Sequence, residues 1–416
     1  MIQKLDDSQQ KALNKIVDGK TPISVLTGGP GYGKTFSVFE IYKRLTQQYK
    51  NIFFCAPTGK AAKVLDAVLS ELHLPDENKP QTIHRMLGCQ GEAGWIYNDH
   101  NQLPADFVIV DESSMVDSEL MARLFTSISP SCRFLLVGDA DQLYPVGAGA
   151  PFLDIISLNK GDCVNSLKIN HRAADGGMIA AATESIKKGS VPVWGEKKAH
   201  TLSGGRKDDL FYHNIEDKGK IPLKVKTLCK EWFENKEDFI VLAPQRSGVC
   251  GINNLNLELQ TFLNPIKKKT SYYKVSPWLT INTGDRVINL KNNYELGVFN
   301  GFVGTVLEIN YTGKNLKEII VSFEGQTVVF TKKKDINSLA LAYCISVHKS
   351  QGSEYRKGII IFHSSHYYML SRQLLYVAVS RFKEELHIIG DKKGINRALK
   401  NNAKGKRQTY LGEIKE

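Results

Sequence analysis

The residues with the clearest chemical purpose are Gly28-Gly29-Pro30-Gly31-Tyr32-Gly33-Lys34-Thr35, which follow the apolar run SVLT and open a helical stretch. Glycines at this spacing let backbone N–H groups close around phosphates. The lysine reaches the β- and γ-phosphates, and the threonine hydroxyl next to it ligates Mg²⁺. A second run, Phe107-Val-Ile-Val, ends in Asp111-Glu112. A carboxylate at a buried strand end is placed to hold the metal, and its neighbour to orient and deprotonate a water. Together the two segments point to hydrolysis of a nucleoside triphosphate. Gln142, in GDADQ after Phe134-Leu-Leu-Val, is either an ordinary loop residue or an amide that touches both the γ-phosphate and the water. Arg172 (NHR) and Arg381 (SR) supply guanidinium groups that suit transition-state charge, although a lone arginine is more often a surface group.

These residues need a scaffold that aims strand ends at one ligand. The apolar runs Ile23–Leu26, Ile52–Cys55, Phe107–Val110 and Phe134–Val137 each end in a Gly, Pro or Asp cluster and alternate with helical stretches. Uninterrupted apolar runs of this kind predict a parallel sheet covered on both faces, with ligands at the carboxyl ends of its strands. A polar connector follows. A second alternating region resumes at Phe239–Ala243, Gly358–Phe362 and Leu386–Ile389. Between its halves, short strands with glycine turns (GDRVINL, VFNGFVGTVLEIN, EIIVSFEG, QTVVFTKK) predict a small antiparallel barrel. The expected fold is α/β. It has a first parallel-sheet lobe at 1–190 with a pin-like hairpin near 88–105, and a connector at 191–237. A second lobe spans 238–273 and 340–400, an inserted barrel 274–339, and a tail 401–416.

Composition narrows the function classes. The 416 residues suffice for several domains, and 42% apolar with 24% charged residues is an ordinary globular balance. The net charge of +12 tilts the chain towards a polyanionic partner. Seven cysteines without paired spacing support neither a disulfide framework nor a zinc site and suit buried thiols in a reducing cytoplasm. No apolar stretch is long enough to span a bilayer, and MIQKLDDSQQ lacks a signal peptide's apolar core. The expectation is a soluble cytoplasmic protein.

In order along the chain, LDDSQQKAL, the phosphate loop, APTGKAAKVL, TIHRMLG, VIVDESSMVD, LLVGDADQLYPVGAG, VLAPQRSGVCGINNLNLELQ, GDRVINLKNNYELGVFNG, ALAYCISVHKSQGSEY and LSRQLLYVAVSRFKEELHIIGD resemble the RecD-like and Dda-like branch of superfamily 1 DNA helicases. The resemblance implies two RecA-like, P-loop lobes around one ATP, with single-stranded DNA crossing both. By motif, it assigns Gln9 to adenine, Arg172 and Arg381 to the γ-phosphate, and Gly352 and Glu354 to the γ-phosphate and ribose. It assigns Pro57, Thr58, Lys60, Thr82, His84, Ser346, His348 and Lys349 to DNA phosphates. The segment Cys89–Asp106, with Trp95 and Tyr97, corresponds to a hairpin that splits duplex in relatives, or else is a plain surface hairpin. Lys332, Lys333 and Lys334 on the insert are a solvated charge run or phosphate contacts. Two positions depart from the pattern. His171 stands where relatives carry an adenine-stacking tyrosine, and Val377 and Ser380 stand where threonines are usual.

The implied activity is an ATP- and Mg²⁺-dependent DNA helicase, active as a monomer, moving 5′ to 3′ on single-stranded DNA and tailed duplex. Its polarity comes from the resemblance alone. The alternative is an ATP-switched DNA-binding subunit of a larger recombination or nuclease complex. A phosphate-loop kinase would leave both arginine blocks and the second lobe unexplained.

Overall fold

The computed structural model describes residues 4–72, 74–158, 163–172, 176–194, 209–267, 271–323 and 326–403. The tail beyond 403, and 195–208 of the connector, lie outside the described residues. Two compact units emerge, one built on residues up to Gly176 and one on Gly177–Asn402.

The first unit is built on a parallel sheet of β1 (Ile23–Thr27), β2 (Ile52–Ala56), β3 (Gln81–Thr82), β4 (Phe107–Val110), β5 (Arg133–Gly138) and β6 (Val164–Ser166), in the order β3-β2-β4-β5-β1-β6. Successive strand residues feed opposite cores. Leu26, Phe54, Ile109 and Leu135 pack on one face with the helices Asp7–Asp18 and Lys34–Leu45. Val25, Cys55, Val110 and Leu136 pack on the other with the helix Ser118–Thr126. Double burial removes the polar alternation and leaves the unbroken apolar runs seen in the sequence. β3 and β6 are two and three residues long, too short to register as runs.

The second unit carries a parallel sheet of β7 (Leu210–Asn214), β8 (Phe239–Ala243), β16 (Cys344–Ser346), β17 (Tyr355–Phe362) and β18 (Phe382–Gly390), ordered β16-β8-β17-β18-β7. Into it is inserted the hairpin β9 (Tyr272–Ser276) and β10 (Leu279–Asn282), followed by an antiparallel sheet. That sheet comprises β11 (Arg286–Asn289), β12 (Val303–Thr312), β13 (Asn315–Phe323), β14 (Gln326–Phe330) and β15 (Leu339–Leu341). The insert has its own core around Phe302, Val321, Phe323 and Phe330. Asp285 ties it to the lobe: its carboxylate accepts from Asn264, Gln260 and Tyr343.

Two differences from the sequence reading have physical causes. The helix Met178–Lys187 packs on the helix Arg372–Ser380 of the second unit, so the first unit ends at Gly176 rather than near 190. Its buried face (Met178, Ile179, Ala182, Ile186) says that it packs, not on what. The hairpin near 88–105 is minimal, a turn closed by one antiparallel bridge between Cys89 and Trp95. Trp95 and Tyr97 are half-buried against the first unit's core rather than at a projecting tip. Of the seven cysteines six are buried and Cys89 is exposed.

Candidate nucleotide site and nucleic-acid face

The phosphate loop leaves the carboxyl end of β1 and runs into the helix Lys34–Leu45, whose N-cap is Gly33 at φ +73°. The first-turn N–H groups of a helix have no intrahelical acceptor, so they face the loop's concavity with the positive end of the helix dipole. Lys34 Nζ donates to the carbonyls of Gly28 (2.7 Å) and Gly29 (3.1 Å), which holds the ammonium across the mouth of the loop. Thr35 is half-buried beside it and makes no side-chain hydrogen bond among the described residues.

Glycine is obligatory here for space as well as for φ. A Cβ on Gly33 would fall 2.3 Å from Gln9 Nε2, and one on Gly31 would fall 2.7 Å from Arg172 Cγ. Gln9 and Arg172 therefore flank the loop on two sides. Gln9, almost wholly buried, is the third residue of a capping box at the helix Asp7–Asp18. Asp6 accepts from the Gln9 N–H, while Gln9 Oε1 accepts from the Asp6 N–H and Gln9 Nε2 donates to the Tyr32 carbonyl (3.3 Å). His171 lies in the same cluster: its N–H donates to the Gly31 carbonyl, and its Nε2 is 2.9 Å from Asp6 Oδ2. Burial pushes the Asp6 carboxyl up, but hydrogen bonds from the Ser8 hydroxyl, the Gln9 and Ser8 N–H groups and His171 outweigh it and hold the carboxyl below its ordinary value.

At the end of β4, Asp111 is half-buried and accepts from the Glu112 N–H (2.9 Å). Burial first, and then the Glu112 charge, push its carboxyl up to about 7, against the opposing pull of that N–H and of Lys34. Glu112 sits in the left-handed region at φ 50°, a conformation that costs a residue with a side chain about 1 kcal/mol or more. Its Oε2 is buried with no hydrogen-bond partner among the described residues. Gln142 is buried, and its Oε1 has no partner among the described residues. A buried unpaired carboxylate oxygen is costly and marks a place where a ligand completes the bonding. The donor set of Thr35 and Asp111 beside it fits a hard cation such as Mg²⁺.

Of the residues assigned to DNA, Thr58 and Thr82 are helix N-caps whose hydroxyls accept from the N–H groups of Ala61 and Arg85. Pro57 precedes the first of these caps and Lys60, buried, follows it. His84 stacks on Trp95 with ring centroids 5.4 Å apart, and the Arg123 guanidinium lies 5.6 Å from the Trp95 ring.

In the second unit, Ser346 caps a short 3₁₀ turn by accepting from the Lys349 N–H. His348 is held below its ordinary value by burial. Gly352 turns the chain at φ +70°, and Glu354 is ion-paired with Lys383. Arg381 is buried: its guanidinium donates to the carbonyls of Val377 (3.1 Å) and Ser353 (3.2 Å) and to the Ser380 hydroxyl (3.2 Å). Lys332 of the lysine run pairs with Glu295. Sequence reasoning missed Asp6. The spacing Asp6-x-x-Gln9 was the available signal for it.

Comparison with known proteins accounts for both units. An AAA domain model matches residues 9–148, the SH3 domain model of ATP-dependent RecD-like DNA helicases matches 255–323, and a UvrD-like helicase C-terminal domain model matches 341–389. The chain is 31% identical over 391 residues to the ATP-dependent RecD2 DNA helicase of Deinococcus radiodurans, covering 93% of this chain and 49% of that protein. It is 29% identical over 415 residues to the RecBCD enzyme subunit RecD of Mycobacterium tuberculosis, covering 92% of this chain and 69% of that protein. Over nearly its whole length this chain is similar to RecD-like helicases. It spans about half the length of the RecD2 relative. The chain also shares its fold with a Pif1 helicase from Bacteroides, solved with ADP-AlF3 and single-stranded DNA (18% identity, TM-score 0.58, 96% of this chain and 95% of that one). A Pif1 helicase from Candida albicans is similar in the same way (17%, TM-score 0.55, 99% and 98%). The first unit is thus a nucleotide-binding domain of RecA-like topology. No helix among the described residues is long and apolar enough to cross a membrane.

Proposed function

We propose that this RecD-like chain is an ATP-driven motor that moves 5′ to 3′ on single-stranded DNA and separates duplex ahead of it. The observation that carries the reading is the convergence at the end of β1 and β4 of a lysine across a phosphate loop, a half-buried Asp111, and a Glu112 oxygen with no partner among the described residues.

In this reading Lys34 leaves the Gly28 and Gly29 carbonyls for the β- and γ-phosphates of ATP, and the N–H groups from Gly31 to Thr35 receive the phosphate oxygens. Thr35 and Asp111 would hold Mg²⁺, which when bound neutralises charge on those phosphates. Glu112 orients the attacking water and takes its proton, and Gln142 senses the γ-phosphate. Gln9 and His171 form the base side of the site. Arg172 and Arg381 offset the charge that develops on the transferring group, and Gly352 and Glu354 act beside Arg381 on the γ-phosphate and ribose. Hydroxyls and amides at Thr58, Thr82 and Ser346, with Pro57, Lys60, His84, His348 and Lys349, contact the DNA backbone without reading bases, as a translocating motor requires.

A second reading has the chain act as an ATP-switched DNA-binding subunit. It is favoured by one relative's standing as a RecBCD subunit. ATP hydrolysis measured with and without single-stranded DNA tests the proposal: Lys34→Ala abolishes hydrolysis and leaves DNA binding largely intact. Retained hydrolysis refutes the phosphate-site assignment.

A further inference from the structure

A cleft of about 410 Å³ opens within the second unit between the start of the helix Ile252–Leu263, the β9–β10 turn and the segment after β16. Its lining includes Arg246, Asn253, Trp278, Leu279, Ser346 and Lys349, and contains no carboxylate. Arg246 and Lys349 are the cations of this cleft, and neither side chain has an ion pair or hydrogen bond within the described protein. The Lys349 ammonium is held below its ordinary value, by burial first and then by the Arg246 charge. An anion placed between the two would reverse both effects. At the rim, Trp278 occupies the turn of the β9–β10 hairpin and is 87% exposed. Tryptophan is highly buried on average, so a nearly bare indole beside two unpaired cations needs a partner.

We propose that this cleft holds one nucleotide of the single strand, its base stacked on Trp278 and its phosphate between Arg246 and Lys349. The combination matches how single strands are gripped without sequence preference: a positive groove tracks the backbone and an aromatic face takes any base. Asn253 and Ser346 supply neutral donors, and Leu279 supplies an apolar wall. The inference rests on the single-stranded DNA reading above and adds a base-stacking residue to a set that otherwise contacts only backbone.

The test is binding of the full chain to a labelled oligothymidylate and to an abasic strand of the same length, by fluorescence anisotropy. Trp278→Ala weakens binding to the thymidylate by roughly 5- to 150-fold, Trp278→Phe retains most of the affinity, and the alanine variant loses little further on the abasic strand. Arg246→Gln lowers the slope of log affinity against log salt by about one contact. Unchanged thymidylate affinity in Trp278→Ala, beside clear binding by the unsubstituted protein, overturns the stacking site and leaves the motor reading standing. An equal loss on both strands overturns it too, since the indole then acts without a base. If the unsubstituted protein binds neither strand, the DNA reading itself fails.

Discussion

Replacing Glu112 by glutamine separates chemistry from folding at the proposed hydrolytic centre. The amide is isosteric, so the left-handed backbone at φ 50° and the contact of its N–H with Asp111 remain. Two things change. The oxygen without a partner loses its charge and its capacity to take a proton, and Asp111 loses the like charge that helps push its carboxyl up. General-base catalysis contributes about 10²–10⁴-fold, or about 2.7–5.4 kcal/mol of barrier. DNA-stimulated ATP turnover by Glu112→Gln is therefore expected to fall by that factor. Removal of a buried unpaired charge predicts that the thermal midpoint holds or rises. ATP binding, followed with a fluorescent nucleotide, should stay within a few-fold because the phosphate loop is untouched. A steady-state ATPase assay, a melting curve and a nucleotide titration decide the matter together. Turnover above about a tenth of the original would refute the base assignment, and loss of nucleotide binding in step with turnover would make Glu112 a structural residue.

Asp6→Ala removes an N-cap and the partner of His171, and is expected to cost about 1 kcal/mol at neutral pH and to weaken the preference for ATP over GTP. Because the Asp6 carboxyl is held low in the fold, its stabilisation is complete above the ordinary aspartate value near ~3.9 and fades as pH drops through the folded value. The melting difference between the two proteins should therefore narrow at acid pH, and a constant difference would contradict the assignment. Trp95→Ala strips the platform from His84 and a half-buried contact from the core, so melting, DNA-stimulated ATPase and strand separation should fall together. Loss of strand separation alone at an unchanged melting point would restore Trp95 as a duplex wedge.

What could be read from the sequence follows from how local each signal is. The phosphate loop and the Asp111-Glu112 strand end are fixed by short-range chemistry, and both stand where their spacing placed them. β1, β2, β4, β5 and β8 were legible because burial on both faces writes unbroken apolar runs. β3 and β16 were not, because two or three residues carry no periodicity. The helix Met178–Lys187 showed an apolar face but not the unit it joins, since that depends on residues nearly two hundred positions away. Trp95 reads as part of a duplex-splitting pin or of a plain surface hairpin, and in the fold it turns onto His84 and Arg123. Likewise, nothing local to Arg246 or Trp278 announces that they share a cleft with Lys349. The departure at His171 gained a physical account only from its pairing with Asp6.

The most direct test of the central claim is strand displacement of two duplexes, one with a 5′ and one with a 3′ single-stranded tail, under ATP and Mg²⁺. Displacement from the 5′ tail alone, abolished by Lys34→Ala, is the expected result. Displacement from the 3′ tail would contradict the polarity, and no displacement from either tail, with ATPase still stimulated by single strands, would contradict the motor itself.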